Sequence, residues 1–163
     1  MNNVLVTGIS GFVGQNLARE LVEANFEVLG IDREINPEFK NLTLHLDLSQ
    51  TIHLESSSYD LVIHCAAAKG DWNISGEEFY RDNVVATQNL LEYLRKCEVK
   101  KVIHFSTVAV YSRSGIDGSE STKIEPDSVY GQTKLDSEIL VQNYAEESEI
   151  PTVIIRPSVI YGR

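Results

Sequence analysis

Gly8, Gly11 and Gly14 stand three residues apart in Thr7-Gly8-Ile9-Ser10-Gly11-Phe12-Val13-Gly14, between the apolar run Val4-Leu5-Val6 and a helical pattern of Phe12, Val13, Leu17, Leu21 and Val22. A strand, a glycine-rich turn and a helix make the first half of a βαβ unit. The turn gathers backbone N–H groups at the positive end of the helix with no Cβ in the way, and Ser10, Phe12 and Val13 fill the positions between the glycines. That is a place to lay a pyrophosphate. The same glycines would serve a tight turn with close helix packing, so the reading needs a second signal.

Asp32 supplies it. It ends the second predicted strand 18 residues past Gly14, close to the spacing at which a carboxylate accepts hydrogen bonds from an adenosine ribose. A carboxylate there repels a 2′-phosphate, which favours NAD over NADP. Arg33, directly after it, pulls the other way, because an arginine stacks on adenine or pairs with that phosphate.

Further strands are predicted over 26–31 (ending at Asp32), 42–46 (ending at Asp47), 59–65, 101–105 and 152–155, with long helices over 77–97 and 129–147. Loops are expected over 66–76 and over the polar stretch 112–128, the second as a rim over a pocket. Apolar strands alternating with helices argue an α/β fold, a Rossmann-type doubly wound parallel sheet with helices on both faces. The 163 residues, 42% of them apolar, form one domain, 1–163, with a proper core.

A net charge of −10 argues against a surface that tracks nucleic-acid phosphates. The basic cluster Arg95, Lys96, Lys100 and Lys101 reads as a match to the end of a helix dipole. Cys65 and Cys97 form no C-x-x-C pair, and the four histidines show no H-E-x-x-H, so neither a disulfide framework nor a metal is expected. The start lacks a basic leader and no apolar stretch is long enough to span a membrane, so a reduced, cytoplasmic home is expected.

Tyr130 and Lys134 lie four residues apart on a predicted helix, which puts both on one face within reach of one substrate oxygen. By themselves they would suit a half-exposed helix start with a snorkelling lysine. Joined to a pyrophosphate turn, they point to a nicotinamide cofactor and proton-coupled redox chemistry at a carbinol. A phenol is a poor base at neutral pH until a neighbouring cation favours phenolate, and Lys134 is that cation. Thr107, at the end of the fifth strand, can orient the same oxygen or be an ordinary strand-end threonine.

With Thr7 to Gly14 come, in order, Asp47-Leu48, His64-Cys65-Ala66-Ala67, Asn83-Val84-Val85-Ala86-Thr87, Ser106-Thr107-Val108-Ala109-Val110-Tyr111, the Tyr130–Lys134 pair and Arg156-Pro157-Ser158-Val159-Ile160-Tyr161-Gly162. In this set the whole chain resembles the extended short-chain dehydrogenase/reductases, the NAD-dependent epimerase/dehydratase family. The resemblance implies that Asp47 and Leu48 border the adenine, Ala66, Ala67, Ala68 and Lys69 the pyrophosphate and ribose, and Pro157 and Val159 the nicotinamide. Lys134 would also hold the nicotinamide ribose, and Asn83 would either contact cofactor or bond backbone. Ala86 and Ser112 stand where the family usually has glycine.

The family's smaller C-terminal substrate domain is absent from this sequence. The expectation is therefore the cofactor domain of an NAD-dependent epimerase, dehydratase or reductase, with Thr107, Tyr130 and Lys134 catalytic. Its implied substrate is a small molecule, a nucleotide-activated sugar. A homodimer paired through Leu90, Leu91 and Leu94 of one helix and Leu135 and Ile139 of another is a further expectation, although the same residues would equally cover the sheet. The rival reading is a non-catalytic dinucleotide sensor or interaction module.

Overall fold

The computed structural model describes residues 2–69, 74–111 and 120–162. Parts of both predicted loops, Ser112 and Arg163 lie outside the described residues. Strand β1 (Asn3–Thr7) leads into helix α1 (Phe12–Glu23), and β2 (Glu27–Asp32) and β3 (Thr43–His45) follow. Then come β4 (Ser58–Tyr59), β5 (Leu61–His64), α2 (Gly76–Phe79), a π-helical segment (Tyr80–Val85), α3 (Ala86–Leu94), β6 (Glu98–Val99), β7 (Val102–Phe105), α4 (Val129–Ser148) and β8 (Thr152–Ile155).

Six strands form one parallel sheet in the order β3-β2-β1-β5-β7-β8. The order reverses between β1 and β5, and a crevice opens at the carboxyl ends of the strands where neighbouring connections depart to opposite faces. Each face has its own core. On one, Val4, Val6, Ile9, Ala18, Val28 and Ile63 pack with Leu17 and Leu21 of α1; on the other, Leu5, Val62 and Val102 pack with Leu90, Leu91 and Leu94 of α3 and Val141 and Tyr144 of α4. This is the doubly wound α/β architecture expected from the strand–helix alternation. Among the described residues, no helix is long and apolar enough to cross a membrane.

Two predicted elements are subdivided. The run 59–65 breaks at Asp60, whose carboxylate accepts from the Asn3 amide and pairs with Lys100. Ser58–Tyr59 turns aside there to form a small parallel sheet with Glu98–Val99. The helix predicted over 77–97 contains the π segment and ends at Leu94. The basic cluster serves ion pairs as well as a helix end: Arg95 caps α3, but its guanidinium reaches Glu147 of α4 and lies over the Tyr144 ring. Leu90, Leu91 and Leu94 are buried in the core and so cover the sheet; Leu135 is half-buried and Ile139 exposed.

Candidate functional site

A cavity of about 390 Å³ lies at the β1/β5 switch point. Its floor is the glycine turn, and Gly8 and Gly14 are required there by close approach. Gly8 has φ +71°, and a Cβ on it would sit 2.7 Å from the Ala66 amide nitrogen; a Cβ on Gly14 would sit 2.1 Å from the Gly8 carbonyl oxygen. The turn is tied to the end of β2: the Ser10 amide donates to Asp32 Oδ2 at 2.9 Å, and the Ser10 hydroxyl donates to the Glu34 carbonyl at 2.7 Å. Asp32 Oδ1 accepts from the Glu34 amide at 3.0 Å. Each carboxylate oxygen therefore keeps a lone pair for a hydroxyl of a bound ribose.

Of the expected cofactor-binding residues, Gly8, Ser10, Gly11, Asp32, Arg33, Asp47, Leu48, Ala66, Ala67, Ala68 and Lys69 line this one cavity. Phe12, Val13 and Gly14 start α1 beside it. Pro157 is placed by its carbonyl, which accepts from the Val108 amide at 3.0 Å. Val159 is 78% exposed, and the segment past it returns toward α1, with the glycine at 162 against the Phe12 ring. The cavity is also lined by Asp82 and Ala86, the first of which the sequence reading passed over.

Asn83 bonds backbone. Buried in the π segment, it accepts from the Ala68 amide at 2.7 Å and donates to Thr133 of α4 at 3.0 Å, while its carbonyl accepts from the hydroxyls of Thr87 and Ser137. It couples the 66–69 loop to the helix that carries Tyr130 and Lys134.

Helix α4 starts at a Ser128 cap, whose hydroxyl accepts from the Gly131 amide. Tyr130 on its first turn is half-buried, its ring 5.8 Å from that of Phe79. Lys134 is 2% exposed, and its Nζ donates to the Phe105 carbonyl at 2.8 Å at the end of β7. Burial pulls the lysine down to about 8, with Glu138 one turn on opposing the shift. The implied depression of the phenol is not supplied by the protein's own groups: burial raises Tyr130, and the Thr107 side chain opposes that rise. Spacing put the two side chains on one face, but the lysine head is engaged by a strand-end carbonyl.

Glu138 is another residue the sequence reading missed, and Arg156, read there only as the first residue of a motif, is its partner. Arg156 Nε and Nη2 donate to the two oxygens of the fully buried Glu138 at 2.9 and 2.6 Å, and Nη1 donates to the Tyr111 hydroxyl at 2.6 Å. This bidentate clamp fixes the start of the 156–162 segment to α4. The regular spacing of 130, 134 and 138 was the available signal. Below Lys134, His64 and His104 are buried with rings 5.1 Å apart. Burial and the nearby lysine lower both, His64 to about 3, so each is neutral at physiological pH.

The lowered lysine has a stability consequence. Below pH 8 Lys134 is protonated in both folded and unfolded chains and its burial cost is fully present; between about 8 and 10.5 the unfolded chain holds the extra proton, so stability rises with pH. The rise expected from this group is about 3 kcal/mol. Denaturant unfolding from pH 7.5 to 10 should show a steeper gain for the native chain than for Lys134→Met; parallel curves would refute the assignment.

Comparison with known proteins agrees with this geometry. The family model described as the NAD-dependent epimerase/dehydratase family matches residues 4–163. An uncharacterised UDP-glucose epimerase of Bacillus subtilis strain 168, YtcB, is 32% identical over 98% of this chain and 57% of its own length. The N-acetyl-alpha-D-glucosaminyl-diphospho-ditrans,octacis-undecaprenol 4-epimerase of Escherichia coli O157:H7 is 31% identical over 99% of this chain and 50% of its own. Among solved structures, UDP-glucuronic acid 4-epimerase of Bacillus cereus in complex with NAD superposes with a TM-score of 0.84 at 31% identity, over 98% of this chain and 57% of that one. The chain thus spans about half the length of the relatives it matches. With the glycine cradle and the strand-end carboxylate at the carboxyl edge of one parallel sheet, the Tyr130–Lys134 pair on the helix packed against it, and the family model running through them from residue 4 to residue 163, the chain belongs to the NAD-dependent epimerase/dehydratase family.

Proposed function

We propose that this chain is the NAD-binding half of a sugar-nucleotide epimerase or dehydratase, with Tyr130 as the acid–base group. The observation that carries the reading is the single cavity in which the glycine turn, Asp32 and the 66–69 loop converge at the sheet switch point. Its shape suits a dinucleotide: the glycine turn has no room for a Cβ at Gly8 or Gly14, so backbone at the positive end of α1 can approach a pyrophosphate. Asp32 would accept from the adenosine ribose, Asp47 and Leu48 would flank the adenine, and Lys134 would hold the nicotinamide ribose. When bound, the cofactor supplies a hydride acceptor and donor.

The protein's own part is to move a proton and place the substrate oxygen. Burial keeps the Tyr130 phenol protonated at neutral pH, ready to donate to a carbonyl oxygen, and Thr107 beside it can orient that oxygen. In the opposite direction phenolate must form, and a charged Lys134 drawn from the Phe105 carbonyl toward the site would favour it. A nucleotide sugar as substrate is supported by the relatives named as epimerases of UDP-glucose and of UDP-glucuronic acid.

The direct test is calorimetric titration of the chain with NAD. Saturable binding of one NAD per chain is expected, and its loss in Asp32→Ala would place the ribose at that carboxylate. An NAD preparation that gives no saturable heat with the native chain would overturn the reading.

A further inference from the structure

We propose that Asp82 is a specificity-determining residue for the cofactor: it holds Arg33 in an ion pair across the adenosine end of the cavity and so withholds that guanidinium from a 2′-phosphate. The inference rests on the dinucleotide reading above.

Arg33 follows the ribose-reading Asp32 directly, where a free guanidinium would offset the carboxylate and could grip a phosphate with two parallel N–H donors. It is not free. Its Nη1 donates to Asp82 Oδ2 at 2.8 Å, and its backbone carbonyl accepts from His45 Nε2 at 2.9 Å, so both its side chain and its main chain are held. Asp82 is the anchored partner: its side chain is 9% exposed against 51% for Arg33. The second carboxylate oxygen accepts from Arg81 Nε at 2.7 Å. Burial alone would raise Asp82, but the bonds from Arg81 and Arg33 outweigh it and hold the carboxyl below its ordinary range, so it stays ionised at working pH.

The π turn explains how one helix serves both ends of the cavity. Asp82 and Asn83 are adjacent within it, yet Asp82 reaches the β2 side while Asn83 bonds Ala68 on the opposite wall. Such wide turns re-aim neighbouring side chains in this manner. The field has the same sense. The cavity lining carries four carboxylates (Asp32, Glu34, Asp47 and Asp82) against the two cations Arg33 and Lys69, and an added phosphate dianion enters against that balance.

The test is titration of NAD and NADP into four proteins: native, Asp82→Asn, Arg33→Ala and the double variant. Asp82→Asn should tighten NADP roughly ten-fold, the worth of about one charge-assisted hydrogen bond, with NAD changed far less. The gain should vanish in the double variant and shrink as salt is raised. In the otherwise native chain Arg33→Ala removes a cation and leaves Asp82 ionised, so it should not tighten NADP, a result that does not depend on Asp82→Asn folding. Unchanged NADP binding in folded Asp82→Asn, a gain that survives removal of Arg33, or NADP binding tightened by Arg33→Ala alone would each overturn the inference. Failure of the native chain to bind NAD would instead overturn the dinucleotide reading beneath it.

Discussion

Alanine at position 14 is expected to cost the chain both its stability and its dinucleotide. Within a helix, glycine to alanine normally gains about 1 kcal/mol, and Gly14 lies inside α1. Here the added methyl would stand 2.1 Å from the Gly8 carbonyl oxygen, 2.7 Å from its carbon and 2.8 Å from Ile9 Cα. All three are backbone atoms, so no rotamer change relieves the contact. Gly8 cannot retreat either, because its amide donates to the Ile31 carbonyl at 2.8 Å and its carbonyl accepts from the Gly11 amide at 3.0 Å. Overpacking therefore wins, with an expected net loss of about 3 kcal/mol, which lowers Tm by roughly 6–12 °C for a chain of this size. Thermal melts and NAD titration on the same sample read both effects. Gly11→Ala is the comparison: its Cβ meets the Gly8 oxygen at 3.2 Å, so it should lose about 1 kcal/mol or less. Equal melting points for the two variants would show that the turn yields, and the rigid-cradle argument would fall.

The parts of this molecule legible in its sequence are those where one physical demand acts on every residue. A central parallel strand is buried on both faces, so Val4-Leu5-Val6 and the apolar part of 59–65 declare themselves as apolar runs, and the glycine turn declares itself because a side chain there has no room. The parts that were hidden depend on a choice between near-equal alternatives. A π turn needs one wider hydrogen-bond loop while apolar side chains at Phe79, Val84, Leu90 and Leu94 stay inward, so the helical pattern over 77–97 reads the same with or without it. Asp60 was a visible charge inside an apolar run, and its pairing with the Asn3 amide and Lys100 is what splits the strand. Face and distance are different things. Tyr130, Lys134 and Glu138 share a face as their spacing requires, but which group each head meets was set by Phe105 and Arg156, supplied from strands β7 and β8 and their ends. Asp82 went unread for the same reason: its partner Arg33 is 49 residues away.

Tyr130→Phe is expected to separate binding from chemistry. The variant keeps the ring, and with it the contact to Phe79 at 5.8 Å, while the cap from Ser128 and the lysine bond to the Phe105 carbonyl do not involve the phenol oxygen. Stability should therefore change by less than about 1 kcal/mol. NAD affinity should stay close to native, since Asp32, the glycine turn and Lys134 are untouched. Only the hydroxyl beside Thr107 is lost, and with it the group proposed to exchange a proton with the substrate oxygen. General acid–base catalysis of this kind contributes about 10²–10⁴-fold, so under the proposed function turnover of a sugar nucleotide should fall by that factor at unchanged cofactor occupancy. Thr107→Val, which replaces the orienting hydroxyl with a methyl and also gives up its bond from the Ala109 amide, should lie between native and Tyr130→Phe. The decisive comparison is turnover against NAD binding in the same preparations. Undiminished turnover without the phenol would remove Tyr130 from the chemistry, whereas parallel loss of NAD binding would make it a packing residue of the cofactor crevice.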